Sequence, residues 1–321
     1  MILILGTMRD SGIGHLVYRL LDRDVPFLVL DPREHGTGFH LTWGVTDNKV
    51  TGQLIHSGST TDFSEIGAVY VHQLWVNPGE SRFSPAVTHS HLHSFLETAP
   101  FPVCNKPSSS ATNMSKTYQQ QIIAAHGFMV PRTLVTNIPE KAVEFFESCR
   151  GRVIYKSLSA RRSIVRRLKA EDLERLDLLA NGPTQFQEWV PGTDIRVHVM
   201  GNKVFPTEIE TEATDYRYSN RDGLPRSMRA VQIPDEVAQR CIELTRSLDM
   251  LTAGVDLRRS LDGRYYCFEA NPTPAFAFYE QYTSQRITDG LIDALLEASA
   301  GKTIPITQER RSYGDKNKVS V

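Results

Sequence analysis

Toward the C-terminal end, two apolar runs, Thr252 to Leu257 and Tyr265 to Glu269, flank an Asp262-Gly263 turn signal. Runs of this kind across such a turn fold back as a hairpin. A hairpin brings Asp256 and Glu269, thirteen residues apart, to one point. With Tyr265 to Glu269 extended, Cys267 and Glu269 are expected on one face, and Asn271 follows toward Pro272 from beyond the strand end. Two carboxylates and an amide oxygen are the hard ligands that Mg²⁺ prefers, with phosphates and water completing its octahedron. Asp256, Glu269 and Asn271 are therefore the candidate ligands of a metal that holds nucleotide phosphates. Solvated carboxylates on two edge strands are the plainer alternative.

At 321 residues the chain can bury a substantial core and divide into two or three packed units. Its 36 basic and 37 acidic side chains leave a formal net charge of -1, so no global field recruits nucleic acid or an anionic membrane. Cys104, Cys149, Cys241 and Cys267 are widely separated, with no Cys-x-x-Cys pair, and no leader precedes the first strand at Ile2. These features lead us to expect a reducing cytoplasm rather than a disulfide scaffold or zinc knuckle. No apolar stretch approaches the roughly 20 residues needed to span a bilayer.

Ile2 to Gly6 starts as a buried strand, Ser11 to Leu21 follows as a helix, and Phe27 to Asp31 and Ala68 to Val71 are further strands, giving a parallel α/β unit. Pro100, Pro102, Pro107 and Ser108 to Ser110 mark a boundary. Asn113 is expected to cap a helix that carries Lys116 and ends at Gly127. Arg132 to Thr136 reads as a strand, Pro139 to Cys149 as a helix and Val153 to Lys156 as a strand. Strands follow over Thr184 to Val190, Asp194 to Met200 and Lys203 to Ile209, with Gly201-Asn202 as a tight turn. Helices Asp235 to Leu248 and Ile287 to Ala298 bracket the hairpin. The expected organisation is an N-terminal α/β domain over residues 1–104, α+β units over 105–190 and 191–305, and a polar tail over 306–321.

Several cations and polar groups are placed to serve a nucleotide. Lys156 closes the apolar strand Val153-Ile154-Tyr155, where an ammonium could reach a phosphate, and Lys116 could approach from a neighbouring element. The segment Gln187-Glu188-Trp189-Val190 can present backbone donors and acceptors to an adenine edge. Asp194 and Arg196 share a strand face, the first toward ribose or a cation, the second toward phosphate or an acyl-phosphate oxygen. Surface ion pairing is the alternative for that pair. The loop Ser157 to Ser163 lacks glycine, so backbone approach to phosphate is weakly signalled, and Arg161 and Arg162 supply charge there. Glu208, Glu210 and Asp215 are candidate bases or amine-binding groups.

Two competing signals are weaker. Gly6, Gly12 and Gly14 follow the first strand and Asp31 ends the second, but their spacing departs from the dinucleotide-binding fingerprint. His89, His91 and His93 would align as metal ligands on a strand and spread around the axis of a helix.

The ordered set Asn113-Met114-Ser115-Lys116, Val153-Ile154-Tyr155-Lys156, Gln187 to Val190, Asp194-Ile195-Arg196-Val197, Gly254-Val255-Asp256-Leu257 and Phe268 to Pro272 resembles the ATP-grasp superfamily. The closest likeness is to RimK-like and glutathione-synthetase-like ligases, including maturases of ribosomal peptides. It spans roughly Asn105 to Ala298. The resemblance implies an α/β fold in which a pre-ATP-grasp domain precedes two α+β subdomains enclosing the nucleotide. It also implies ATP and one or two Mg²⁺ ions as cofactors, phosphate contacts from Lys116 and Lys156, adenine at Gln187 to Val190, and substrate or transferring-phosphate contacts from Arg196 and Arg217. Asp215-Tyr216-Arg217 resembles the Asp-Trp-Arg element of peptide-maturing relatives, with tyrosine in place of tryptophan. The implied activity is a carboxylate-amine ligase working through an acyl phosphate on a small amino acid or peptide, with Lys156, Arg196 and Arg217 as catalytic residues. Ester or amide cross-linking of a precursor peptide is the alternative, with a hydroxyl as well as an amine as acceptor. A noncatalytic nucleotide-binding regulator is the reading from a different class. Homo-oligomerisation is compatible with the sequence, and no membrane or nucleic-acid partner is expected.

Overall fold

The computed structural model describes residues 1–158, 165–211, 223 and 225–301. The candidate residues Arg161, Arg162, Asp215, Tyr216 and Arg217 and the tail lie outside the described residues.

Strand β1 (Ile2–Leu5) is buried along its whole length. Helix α1 (Ser11–Asp22) begins where the Asp10 carboxylate accepts from the amides of Gly12 and Ile13, an N-cap that satisfies two otherwise orphan donors. Ile13, Leu16 and Leu20 recur at helical spacing and pack against β1 and its neighbours. After β2 (Phe27–Leu30) comes an antiparallel meander that the sequence reading did not anticipate: β3 (Phe39–Thr46), β4 (Lys49–His56) and β5 (Ser59–Asp62). Then β6 (Ala68–Val71), helix α2 (Pro85–Thr98) and β7 (Val103–Cys104) complete a parallel sheet in the order β2-β1-β6-β7. His89, His91 and His93 lie on α2, where helical geometry separates them; His91 Nδ1 meets His35 Nε2 at 2.7 Å.

A 3₁₀ segment, Ser108–Met114, precedes α3 (Lys116–Ala125). Asn113 sits inside that segment, so it does not cap α3; the chain tightens into 3₁₀ before the helix starts, and Ser115 takes the cap position without a side-chain bond. A small antiparallel sheet follows, built from β8 (Thr133–Thr136), β9 (Val153–Ser157), β10 (Arg166–Leu168) and β11 (Thr184–Glu188) in the order β10-β9-β11-β8, with α4 (Pro139–Ser148) between β8 and β9. Val153, Leu168 and Phe186 form a core with Ala142 of α4 and with Leu176 and Leu179 of a 3₁₀ stretch. Period-two alternation sends Ile154, Lys156, Gln185 and Gln187 to the opposite face.

The large sheet comprises β12 (Gly192–Met200), β13 (Lys203–Thr211), β14 (Arg226–Ala230), β15 (Thr252–Ser260) and β16 (Tyr265–Asn271), in the order β14-β13-β12-β15-β16. Gly201 takes φ 61° in the β12–β13 turn, a left-handed conformation that glycine adopts without strain. Helix α5 (Asp235–Ser247) covers one face, packing Val237, Cys241 and Leu244 onto Ile195, Val197, Val255 and Leu257. The same alternation leaves Asp194, Arg196, His198, Gly254, Asp256 and Arg258 on the other face. Helices α6 (Ala277–Thr283) and α7 (Ile287–Ser299) return to the N-terminal sheet, where Phe276, Ile287 and Leu291 share a core with Ile2, Ile4 and Leu16. Among the described residues, no helix is long and apolar enough to cross a membrane.

Candidate functional site

The β15–β16 hairpin sets Asp256 directly opposite Glu269 and Gly254 opposite Asn271. Asn271 is the last residue of β16 itself, not a residue beyond it. Its Nδ2 donates to Asp256 Oδ2 and to Glu269 Oε1, both at 3.1 Å, so one carboxamide joins the two carboxylates. Cys267 does not share their face. The ladder shifts register between Asp256 and Leu257, leaving Phe268 as the extra residue of a β-bulge. The bulge turns Cys267, opposite Leu257, into the α5-side core and Glu269 outward beside Asp256.

Cations close around this acidic pair. Lys116, on the first turn of α3, lies 3.1 Å from Glu269, and Arg196 Nη1 donates to Asp256 at 2.6 Å. Burial pushes the Glu269 carboxyl up, but Lys116, Lys156 on the facing small sheet and the Asn271 hydrogen bond outweigh it and hold it below the usual carboxylate range. Gly254 makes the Arg196 geometry possible: a Cβ at 254 would fall inside the Arg196 guanidinium. One alternation further along β12, His198 is buried, meets the Ala275 carbonyl at 2.9 Å and presents its ring edge-on to Tyr279. Burial and the charge of Arg196 lower its pKa to about 3, so it stays neutral beside Arg196.

The hinge beyond β11 is tied to both sheets. The Glu188 amide donates to the Arg132 carbonyl at 2.8 Å and the Trp189 amide to the Arg152 carbonyl at 2.9 Å. The Arg167 guanidinium lies over the Trp189 ring, 3.6 Å from its centroid. Arg258, absent from the sequence-derived set, binds the Asp194 carboxylate through two hydrogen bonds of 2.8 Å and donates to the Val190 carbonyl at 3.0 Å. Asp194 thus positions an arginine that fixes the hinge to the large sheet.

Glu208, one of the candidate bases, lies on the wrong face. It stands opposite Ile195 and Arg229, on the α5 side of the sheet, buried and bonded to Arg229 and to Arg259. Two further residues hold the β15–β16 hairpin and carried no recognisable motif. Asn105 donates to the carbonyls of Thr252 and Pro272 and accepts from the amides of Leu251 and Thr252, clamping β7 to the start of β15 and to the chain just past β16. Gln119 of α3 exchanges two 3.0 Å hydrogen bonds with the backbone of Ala270, between Glu269 and Asn271. It therefore seals the edge of β16 and holds Lys116, one helical turn earlier, against Glu269.

Among the described residues no group of three or more His, Cys, Asp or Glu side chains converges as a metal cluster; the acidic set is two carboxylates and an amide.

Comparison with known proteins places this arrangement in context. The profile of the RimK-like ATP-grasp domain matches residues 113–295, a span that contains Lys116, Lys156, Arg196, Asp256, Glu269 and Asn271. The ATP-grasp ligase PsnB, in a structure complexed with a phosphomimetic variant of a minimal precursor, Mg and ADP, is 25% identical with a TM-score of 0.78, over 93% of this chain and 98% of that one. The macrocyclase MdnC from Microcystis aeruginosa, bound with the precursor peptide MdnA, shares the fold at 18% identity and a TM-score of 0.75, covering 92% and 99% of the two chains. D-alanyl-alanine synthetase A from Vibrio cholerae shares it more distantly, at 13% identity and a TM-score of 0.59, covering 93% and 98%. No curated protein matches the sequence.

Proposed function

We propose, from the premise that this chain belongs to the RimK-like ATP-grasp family and is a ligase-type enzyme, that it uses Mg²⁺ and ATP to form ester or amide bonds within a precursor peptide. The observation that carries the peptide reading is the end-to-end likeness to PsnB, whose structure holds a minimal precursor with Mg and ADP. The sequence ranked a small amino acid or peptide first and a maturase second; this likeness reverses the order.

The residues fit the metal. Asp256 and Glu269 offer oxygen donors side by side, and Asn271 adds a third through its carboxamide once Oδ1 replaces Nδ2 at the carboxylates. Bound Mg²⁺ neutralises phosphate charge during transfer. Glu269, held ionised by Lys116 and Lys156, needs no deprotonation to bind a cation near neutral pH. Lys116 and Arg196, paired with Glu269 and Asp256, would be the donors available to phosphate oxygens were a divalent cation held by the carboxylates. Lys156 serves the phosphates from the small sheet, and the Gln187 to Val190 hinge, fixed by Arg258, receives the base. Arg217, outside the described residues, belongs to the same proposal as a substrate contact.

The chemistry follows from electrostatic positioning, without a covalent protein nucleophile. A peptide carboxylate oxygen attacks the γ-phosphorus and the bond to ADP breaks. A hydroxyl or amine then attacks the acyl carbon, the bond to phosphate breaks, and the nucleophile loses its proton. Domain boundaries at residues 1–104, 105–190 and 191–305 belong to the same reading, supported by a parallel sheet that ends at Cys104 and a large sheet that begins at Gly192.

The acyl-phosphate step has a direct test. With heavy oxygen in the peptide carboxylates, one labelled atom should appear in the released phosphate for each bond formed. Phosphate free of label in the presence of cross-linked product would refute it.

A further inference from the structure

The cleft face of the small sheet carries a group that the reactions above leave idle. Gln185 of β11 stands directly opposite Lys156 of β9 and is wholly buried. Neither its Oε1 nor its Nε2 has a hydrogen-bond partner among the described residues. Gln187, two residues on and also buried, donates Nε2 to Thr133 Oγ1 at 3.1 Å, and its Oε1 is unpartnered. A carboxamide withdrawn from water without partners bears the desolvation cost of both its ends. Native structures carry few such groups, and an apolar side chain would fill the position without that cost. On the opposite face of the same strand, Phe186 does so.

We propose that Gln185 reads the base of the nucleotide, donating to adenine N7 and accepting from the N6 amino group, and that it sets the preference for adenine over guanine. This rests on the ATP reading of the cleft. A carboxamide places one donor beside one acceptor, the complement of adenine's N7 acceptor and N6 donor; guanine shows two acceptors, O6 and N7, on that edge. The placement agrees with the chemistry. Gln185 neighbours the lysine assigned to phosphate and lies on the strand that leads into the hinge, and it shares a face with Gln187, whose unpartnered oxygen is a second acceptor for an amino group.

Calorimetric titration of the full-length protein with ADP, GDP and 7-deaza-ADP, each with Mg²⁺, tests the assignment on wild type and on Gln185→Met, alongside the melting temperature without nucleotide. Wild type is expected to bind ADP about tenfold or more tightly than GDP or 7-deaza-ADP. Gln185→Met should weaken ADP by about tenfold and 7-deaza-ADP, which has only the N6 hydrogen bond to lose, by less, narrowing the ADP-to-GDP ratio. Its melting temperature should rise, because an unsatisfied buried amide is gone. A purely structural amide would show the opposite pattern, a lower melting temperature with the base preference intact. The assignment is overturned if Gln185→Met binds ADP as wild type does, or if wild type binds 7-deaza-ADP as tightly as ADP, a comparison that needs no variant. Wild type that binds neither ADP nor GDP would instead overturn the ATP reading from which the assignment starts.

Discussion

Arg196 and Asp256 can meet at 2.6 Å because residue 254 has no side chain. Gly254→Ala should push the guanidinium off the acidic pair and lower kcat by about 100-fold, the scale of an ångström-sized misplacement of a charge-stabilising group. Initial rates of ADP release decide this, and a rate within twofold of wild type would refute the slot. If Asp256 and Glu269 hold Mg²⁺ as proposed, Asp256→Asn and Glu269→Gln each exchange a charged oxygen donor for a neutral one, so Mg²⁺ should strengthen ADP binding far less in calorimetry and product should fall below detection. Much of the site was legible at this scale. Asp256, Glu269, Lys116 and Arg196 were named from residue type and order, and the structure brings them together. Arg258, His198 and Gln119 were not, because each acts through a partner distant in sequence: Asp194, Ala275 and Ala270.

The hairpin that carries Asp256 and Glu269 was readable as an element, because the Asp262-Gly263 turn and its flanking apolar runs leave few other folds. Its bulge was not. One extra residue at Phe268 reverses the face of everything before it, so strict alternation from Glu269 misplaces Cys267. The β3–β5 meander escaped notice for a different reason: β4 alternates in burial but buries only Leu54 fully and places Gly52 and His56 at two of its other inward positions, leaving little apolar period-two signal. Elements also hold the site in place. Gln119→Leu would leave the Ala270 amide and carbonyl without their partner and release α3 from β16, and should cost about 2 kcal/mol of unfolding free energy. It should also lower kcat, because Lys116 is carried by the same helix. Urea unfolding and initial rates measured together test this; unchanged activity at reduced stability would detach Lys116 from Gln119.

Across the whole molecule, the mixed α/β architecture was legible in the alternation of strands and helices, and its likeness to PsnB covers 93% of the chain. What no periodicity conveys is how the parts interlock, as when Asn105 reaches from β7 to Thr252 and Pro272. Buried histidines give the assembly an acid-sensitive stability. His198 is lowered to about 3 by burial and Arg196, and His35 to about 4 by burial, His91 and His40, both from 6.5. Below pH 6.5 the unfolded chain takes up protons that these native side chains refuse, so stability is full above that pH and falls on acidification toward 4. The urea midpoint should drop across that window, and His198→Gln should make the drop shallower; an unchanged pH slope in the variant would show that His198 does not contribute.

The most direct measurement of the central claim is the intact mass of a short acidic peptide rich in Ser, Thr and Lys, chosen as a candidate precursor and incubated with the protein, Mg²⁺ and ATP. The mass should fall by one water for each bond formed, with matching release of ADP and phosphate, and only when both Mg²⁺ and ATP are present. A peptide of unchanged mass, in a protein that joins two free amino acids under the same conditions, would contradict it.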